Sequence, residues 1–259
     1  SRAARGGGSR SCPRRARKRA SPDARRPYAG CGSCLSWHFL FPDKPSLTLI
    51  LNYSIDTSVL KDGSTAYTVK RQGEYTLEDY YALPDEHRAE LIDGVLYDMA
   101  SPTAIHQILS TELCNIIRSY ISRQKGRCIV MAAPMDVQLD CDDKTMVQPD
   151  VMVVCDRDKI TKKSIYGAPD LAVEILSDST KKKDMYVKLG KYMEAGVREY
   201  WLVDPKGKKV IVYDFEAEVT PVIYGFSSKV PLGIFGGECE VDFAKIYEYI
   251  RFLYEEDKM

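Results

Sequence analysis

Residues 147–154 read VQPDVMVV and residues 169–177 read PDLAVEILS. In each, an acid stands where an apolar strand residue belongs. Asp150 opens a run of Val and Met, and Glu174 is enclosed by Leu171, Ala172, Val173, Ile175 and Leu176. The near-continuous apolar character of PDLAVEIL predicts a strand covered on both faces, and so a place near the centre of a sheet. Burial of an ionised carboxylate is costly unless it is paired or bound to a cation. Side chains alternate along a strand, so Asp150 shares a face with Met152 and Val154, and Glu174 with Asp170, Ala172 and Leu176. If the two strands are neighbours, both carboxylates enter one cleft, where a hard cation such as Mg²⁺ would relieve their repulsion while keeping several waters. The plainer alternative is that Asp150 ends a turn after Pro149 and Glu174 lies at an exposed edge or pairs with a lysine.

Upstream, Thr76 followed by LEDYYAL and then Pro84 carries the start and stop signals of a short helix. ELIDGVLYDM, residues 90–99, alternates apolar residues about Asp93-Gly94, a strong hairpin signal. From Thr103 to Gly126 the apolar residues Ile105, Ile108, Leu109, Leu113, Ile116, Ile117, Tyr120 and Ile121 form a helical stripe. Strands follow at CIVMAAP, MDVQLD and MVQPDVMVV. A second amphipathic helix spans about residues 180–195, with Gly196 closing it. REYWLVD and KKVIVYDF are strands about Pro205-Lys206-Gly207, and a terminal helix covers 243–254. This order makes an α/β domain with a central mixed sheet flanked by helices. Trp201 and Tyr200 read as core aromatics rather than as base-stacking groups.

Among 259 residues, 37 basic side chains balance 37 acidic ones, but unevenly. Residues 1–30 hold ten Arg or Lys against Asp23 alone, net +9, so the remainder carries net −9. This Arg-, Gly-, Pro- and Ser-rich opening has little to bury, and residues 1–65 are expected to be a disordered extension to a domain at 66–259. It reads as a fragment end or translated upstream sequence more readily than as a nucleic-acid-binding arm. Cys31 and Cys34 form a CxxC, yet a structural zinc site needs four ligands and only Cys12 and His38 stand near. Cys114, Cys128, Cys141, Cys155 and Cys239 lie singly among apolar runs, as free buried thiols do. With no secretory signal and no apolar run of the ~18 residues a membrane span needs, a reduced cytoplasmic protein without membrane contact is expected.

The succession YTLEDYYALPDEHRAELIDGVLYDMASP, a helix bearing His106, QPDVMVV, APDLAVEILSDST and KLGKYMEAGVREYWLVDP resembles the Uma-two family of nucleases. That family is related to restriction endonucleases of PD-(D/E)xK type, and the likeness covers nearly all of residues 75–215. It implies a restriction-endonuclease-like core and a Mg²⁺-dependent, or Mn²⁺-dependent, endonuclease that hydrolyses phosphodiester bonds in DNA. Asp150 and Glu174 would be catalytic metal ligands, with the Ile175 carbonyl as a further ligand and Glu90 as an additional acid at the same metal. A homodimer is compatible with this reading.

The sequence departs from the motif at its third position, where Leu176 replaces the expected lysine. As in relatives whose lysine has migrated, Lys188 on the following helix could supply it. Lys188 sits at the edge of the stripe of Met185, Leu189 and Tyr192, with Lys181 and Lys191 near the same edge. The bland reading is that Asp184 and Lys188 form a surface pair four residues apart. His106 is a candidate for a catalytic or metal-associated role, although a partly buried structural histidine is commoner. A catalytically inactive nucleic-acid-binding or regulatory module on the same fold is the rival, favoured by the net charge of −8 over residues 67–259. A metal-dependent hydrolase of a smaller phosphate ester is a third class. On the boundary, a chain beginning near Ala66 should fold cooperatively and melt with the full chain. Limited proteolysis that spared residues 1–65 while cutting within 66–259 would refute this.

Overall fold

The computed structural model describes residues 70–84, 86–217 and 220–255. The expected extension and the cysteine group at 12, 31 and 34 with His38 lie outside the described residues. Helix α1 (Leu77–Tyr81) starts where Thr76 donates its backbone N–H and its hydroxyl to Asp79 Oδ2, at 2.8 and 2.9 Å. β1 (Ala89–Ile92) and β2 (Val95–Asp98) form the hairpin, turned by Asp93 at φ 50° and Gly94 at φ 76°. Gly94 is demanded twice, because a Cβ there would also stand 2.4 Å from the Gly73 carbonyl oxygen.

Helix α2 (Ala104–Arg123) is capped by Thr103 and buries Leu109, Leu113, Ile117 and Ile121, the stripe read from the sequence. It is followed by β3 (Ile129–Ala132), β4 (Asp136–Gln138), β5 (Val151–Val154), β6 (Ser164–Tyr166) and β7 (Leu171–Ile175). A π-helical turn (Lys183–Lys188) runs into α3 (Leu189–Ala195), which Gly196 closes at φ 89°. Then come β8 (Glu199–Asp204), β9 (Lys209–Asp214), β10 (Val222–Gly225), β11 (Lys229–Pro231), β12 (Glu240–Asp242), α4 (Phe243–Ile250) and α5 (Phe252–Glu255).

The main sheet has six strands in the order β10-β9-β8-β7-β5-β3, parallel between β7 and β8 and antiparallel elsewhere. Alternation splits its side chains between two cores. Val151, Val153, Leu171, Val173, Ile175, Trp201 and Val203 pack under α2 and α4, while Met152, Val154, Ala172, Leu176, Tyr200 and Leu202 pack with Tyr192 of α3. Tyr200 and Trp201 are core aromatics, as expected. The expected strand across 146–154 is divided. Met146 and Val147 make isolated bridges and β5 starts at Val151, after Pro149, whose nitrogen has no hydrogen for a ladder. The expected strand at MDVQLD is β4, which pairs with β6, whereas β6, β10, β11 and β12 were not legible as strands because each has only three or four residues with little alternation.

One reading is corrected. Cys128 and Cys155 are not free thiols but a disulfide, formed because they flank the directly paired residues Ile129 and Val154 of β3 and β5. Cys141 is likewise disulfide-bonded, whereas Cys114 and Cys239 are free. Among the described residues no helix is long and apolar enough to cross a membrane. Ile117 has no exposed surface, so Ile117→Ala should lower unfolding free energy by about 2–5 kcal/mol. Arg118→Ala, on the outer face of the same helix, should stay within about 0.5 kcal/mol, and urea denaturation of both variants checks the helix's orientation.

Candidate active site

Glu90 on β1, Asp150 at the entry to β5, Glu174 on β7 and Lys188 at the end of the π turn all line one cavity of about 770 Å³, together with His106, Lys183 and Asp184. The register explains why the two motif acids meet. Val151 pairs with Val173 in an antiparallel ladder, so one residue further along Asp150 stands beside Glu174. Asp150 Oδ2 accepts the Ile175 N–H at 2.7 Å and lies 3.1 Å from His106 Nε2. Lys188 Nζ lies 2.7 Å from Glu90 Oε1 and 2.9 Å from Glu174 Oε1, which also accepts the Tyr192 hydroxyl at 2.7 Å. Glu90 accepts the Gln148 N–H on Oε1 at 2.9 Å and takes Lys183 Nζ on Oε2 at 2.6 Å.

Four carboxylates, those of Glu90, Asp150, Glu174 and Asp184, face the ammonium groups of Lys183 and Lys188 in this pocket. The imbalance sets the proton affinities. Burial pushes the Glu174 carboxyl well above its ordinary range; Lys188 opposes this, but Asp184, Asp150 and Glu90 add to it. Burial would also raise Glu90, yet Lys188, Lys183 and the Gln148 amide hold it below the ordinary value. Burial would lower Lys188, but Glu174, Glu90 and Asp184 together raise it well above the lysine range, so it stands as an ammonium ion.

Residues 77–233, more than half of the chain, match the Uma2 family, described as "Putative restriction endonuclease". The chain belongs to the Uma2 family. Its fold is similar to that in a crystal structure of a putative nuclease belonging to DUF820 from Anabaena variabilis ATCC 29413, with a TM-score of 0.56 and 21% identity over 68% of this chain and 98% of that one. At that identity the likeness concerns the fold, which is restriction-endonuclease-like. No curated protein matches the chain.

In this Uma2 chain the candidates Asp150, Glu174, Glu90, Lys188 and His106 come together. Two neighbours expected near Lys188 do not share its place: Lys181 pairs with Asp204, while Lys191 pairs with Asp93 and Asp140. The alternative of a surface pair between Asp184 and Lys188 does not hold: both residues are 2% exposed, on the face of the π turn that meets Glu90 of β1 and Glu174 of β7. Lys183, Asp184 and Tyr192 were missed as site residues. Tyr192 read as part of a core stripe, and Lys183 carried no signal beyond its i, i+5 spacing from Lys188.

A hard cation fits part of this donor set. Among the described residues Asp150 Oδ1 and Glu174 Oε2 have no hydrogen-bond donor on them, and Asp184 Oδ1 is buried with no hydrogen bond. Among the described residues no three His, Cys, Asp or Glu side chains form a closed ligand group. A cation here would therefore use one or two carboxylates and keep waters, the habit of Mg²⁺. Glu90, with both oxygens engaged, holds lysines in this arrangement instead.

These charges make opposite predictions for two neighbouring acids. Glu174→Gln keeps an acceptor for Tyr192 and removes one crowded charge, so it should stabilise the fold by roughly 0.5–2 kcal/mol near neutral pH. Because the folded protein raises this pKa above 4.5, the ionised group weakens folding above the folded pKa and the penalty fades as pH falls toward 4.5. The variant's advantage should fade with it. Glu90→Gln should destabilise by about 3–5 kcal/mol by stranding two ammonium groups. Its folded pKa is lowered from 4.5, so the wild-type contribution is present above that value and is lost as pH falls through the folded pKa. Urea unfolding across pH about 5–8 would reject this account if the two variants moved stability in the same direction.

Proposed function

We propose that this Uma2 chain is a metal-dependent endodeoxyribonuclease that hydrolyses phosphodiester bonds in DNA, with Mg²⁺ or Mn²⁺ held by Asp150 and Glu174. The observation that carries the reading is Lys188 Nζ at 2.9 Å from Glu174. The lysine that Leu176 denies to the motif is delivered to the same acid from the following helix. A divalent cation bound there would polarise the phosphate and lower the pKa of a coordinated water.

The chain's own groups prepare the site for that chemistry. The Ile175 N–H fixes the Asp150 carboxylate, and Tyr192 and Lys188 fix that of Glu174. Lys188, held as ammonium by its acidic neighbours, is a donor rather than a base: it orients the attacking water and stabilises charge that develops on phosphate oxygens. Its low exposure keeps that charge in a weakly screened environment, where such a donor is worth most. His106 steadies Asp150 from helix α2 at 3.1 Å. A non-cleaving regulatory module on the same fold is the second reading, favoured by the net −8 of residues 67–259, which opposes docking on phosphates.

Incubation of plasmid, single-stranded DNA and RNA with Mg²⁺, Mn²⁺ or EDTA decides between them. Metal-dependent internal cleavage of DNA is expected, with loss of activity in Asp150→Asn and Glu174→Gln. Absence of cleavage under every metal supports the rival. Lys188→Ala should slow the chemical step by roughly 10²–10⁴. Since its partners Glu90 and Glu174 are buried, it should also cost about 3–5 kcal/mol of stability. Lys191→Ala should leave cleavage unchanged. Single-turnover rates measured below the melting temperature of each variant check this ordering.

A further inference from the structure

The Glu90 carboxylate is served by two lysines, and only one of them is enclosed. Lys188 is 3% exposed and touches Glu90 Oε1, whereas Lys183 is 12% exposed and touches Oε2. With Lys188 and the Gln148 N–H on Oε1, Glu90 already has an ion pair and a backbone donor. The π turn brings the second lysine to it. In an α-helix residues five apart point about 140° apart, while the wider i→i+5 winding of a π turn brings them toward one face. Lys183 and Lys188, at the two ends of the turn, therefore face the same carboxylate.

Lys183 also stands at a junction. With Met99, Ala100, Ser179 and Thr180 it lines both the catalytic cavity and an adjoining pocket of about 590 Å³ that continues past Tyr97 and Lys182. Its ammonium lies 5.5 Å from the Tyr97 ring centroid, so an aromatic face and an acid together fix its position. An ammonium ion has three donors, and Glu90 accepts one of them. The others have no hydrogen-bond acceptor among the described residues, and Lys183 lines both pockets.

Resting on the nuclease reading above, we propose that Lys183 is a substrate-binding residue that takes a non-scissile phosphate of the nucleic-acid strand as it passes from the catalytic cavity into the adjoining pocket. Glu90 is then a positioning residue that holds Lys183 for the phosphate and Lys188 for the reacting centre.

The test is binding of a fluorescent DNA oligonucleotide by anisotropy over a range of NaCl concentrations, without divalent metal, alongside cleavage kinetics with Mg²⁺. Loss of one phosphate contact in Lys183→Met should flatten the plot of log K against log salt by about 0.9 for duplex or 0.7 for a single strand, and weaken binding roughly tenfold at 0.1 M salt. KM should rise with kcat nearly unchanged, the mark of binding shared by ground and transition states. Lys183→Arg should restore both affinity and slope. Lys163→Ala, which removes a lysine placed over Tyr81 and outside either pocket, should do neither. If Lys183→Met lowers the melting temperature but keeps the parent's slope and KM, Lys183 is only structural and the proposal falls while the nuclease reading stands. A parent that neither binds nor cleaves the oligonucleotide overturns both. Should Lys183→Met fail to fold, Lys183→Gln is read by the same slope.

Discussion

The ammonium of Lys188 joins parts of the chain that are far apart in sequence. It bridges Glu90 of the β1–β2 hairpin and Glu174 of the central strand β7 from a helix that follows β7. Buried ion pairs are weak evidence of stability, because desolvation offsets most of their attraction. Here the placement is better understood as a constraint. Once Glu174 is drawn into the sheet by the apolar residues around it, something must compensate its charge, and the ammonium that stands against it is one that reaches in along a helix. The hairpin then follows, because Glu90 shares the same lysine and, through the Gln148 N–H, is fixed to the segment that leads into Asp150.

The arrangement also accounts for where the sheet spends its polar groups. Val151, Val153, Val173 and Ile175 face α2 and α4 without interruption, and the acids gather at the end of β5 and β7 on the side of the π turn. Segregation of this kind lets one end of a closely packed sheet carry uncompensated charge without opening the core beneath it. The excess of carboxylates over ammonium groups is a local electrostatic strain, and it is placed where a cation or a positively assisted reaction would relieve it.

Much of this was written plainly in the sequence. The 3.6-residue stripe of α2, the Asp93-Gly94 turn and the apolar run about Glu174 each specify their element locally, and the isolated acids at 150 and 174 announce themselves by breaking a hydrophobic pattern. What stayed hidden depends on winding or on distant partners. A π turn has no composition of its own, so Asp184 and Lys188 could equally be read as a surface pair, and Lys183 gave no sign of a role. The Cys128–Cys155 bridge required the β3–β5 register, which no spacing along the chain reveals. Glu90 was visible as an acid in a strand, but its two lysine partners lie 93 and 98 residues away.

The π turn lies within the crossover that connects the parallel strands β7 and β8. That connection therefore works as a phase setting as well as a link. Both ends of the crossover are pinned by the sheet, so a gain or loss of one residue inside 183–188 could not be absorbed by sliding a strand. It would instead rotate the following helix by about 100°. Such a change would carry Lys188 away from Glu174 and, in the same movement, withdraw the Tyr192 hydroxyl that shares its oxygen. Length variation in descendants of this chain should thus be tolerated in the loops at either side of the crossover and rejected within the turn, whatever residues are inserted.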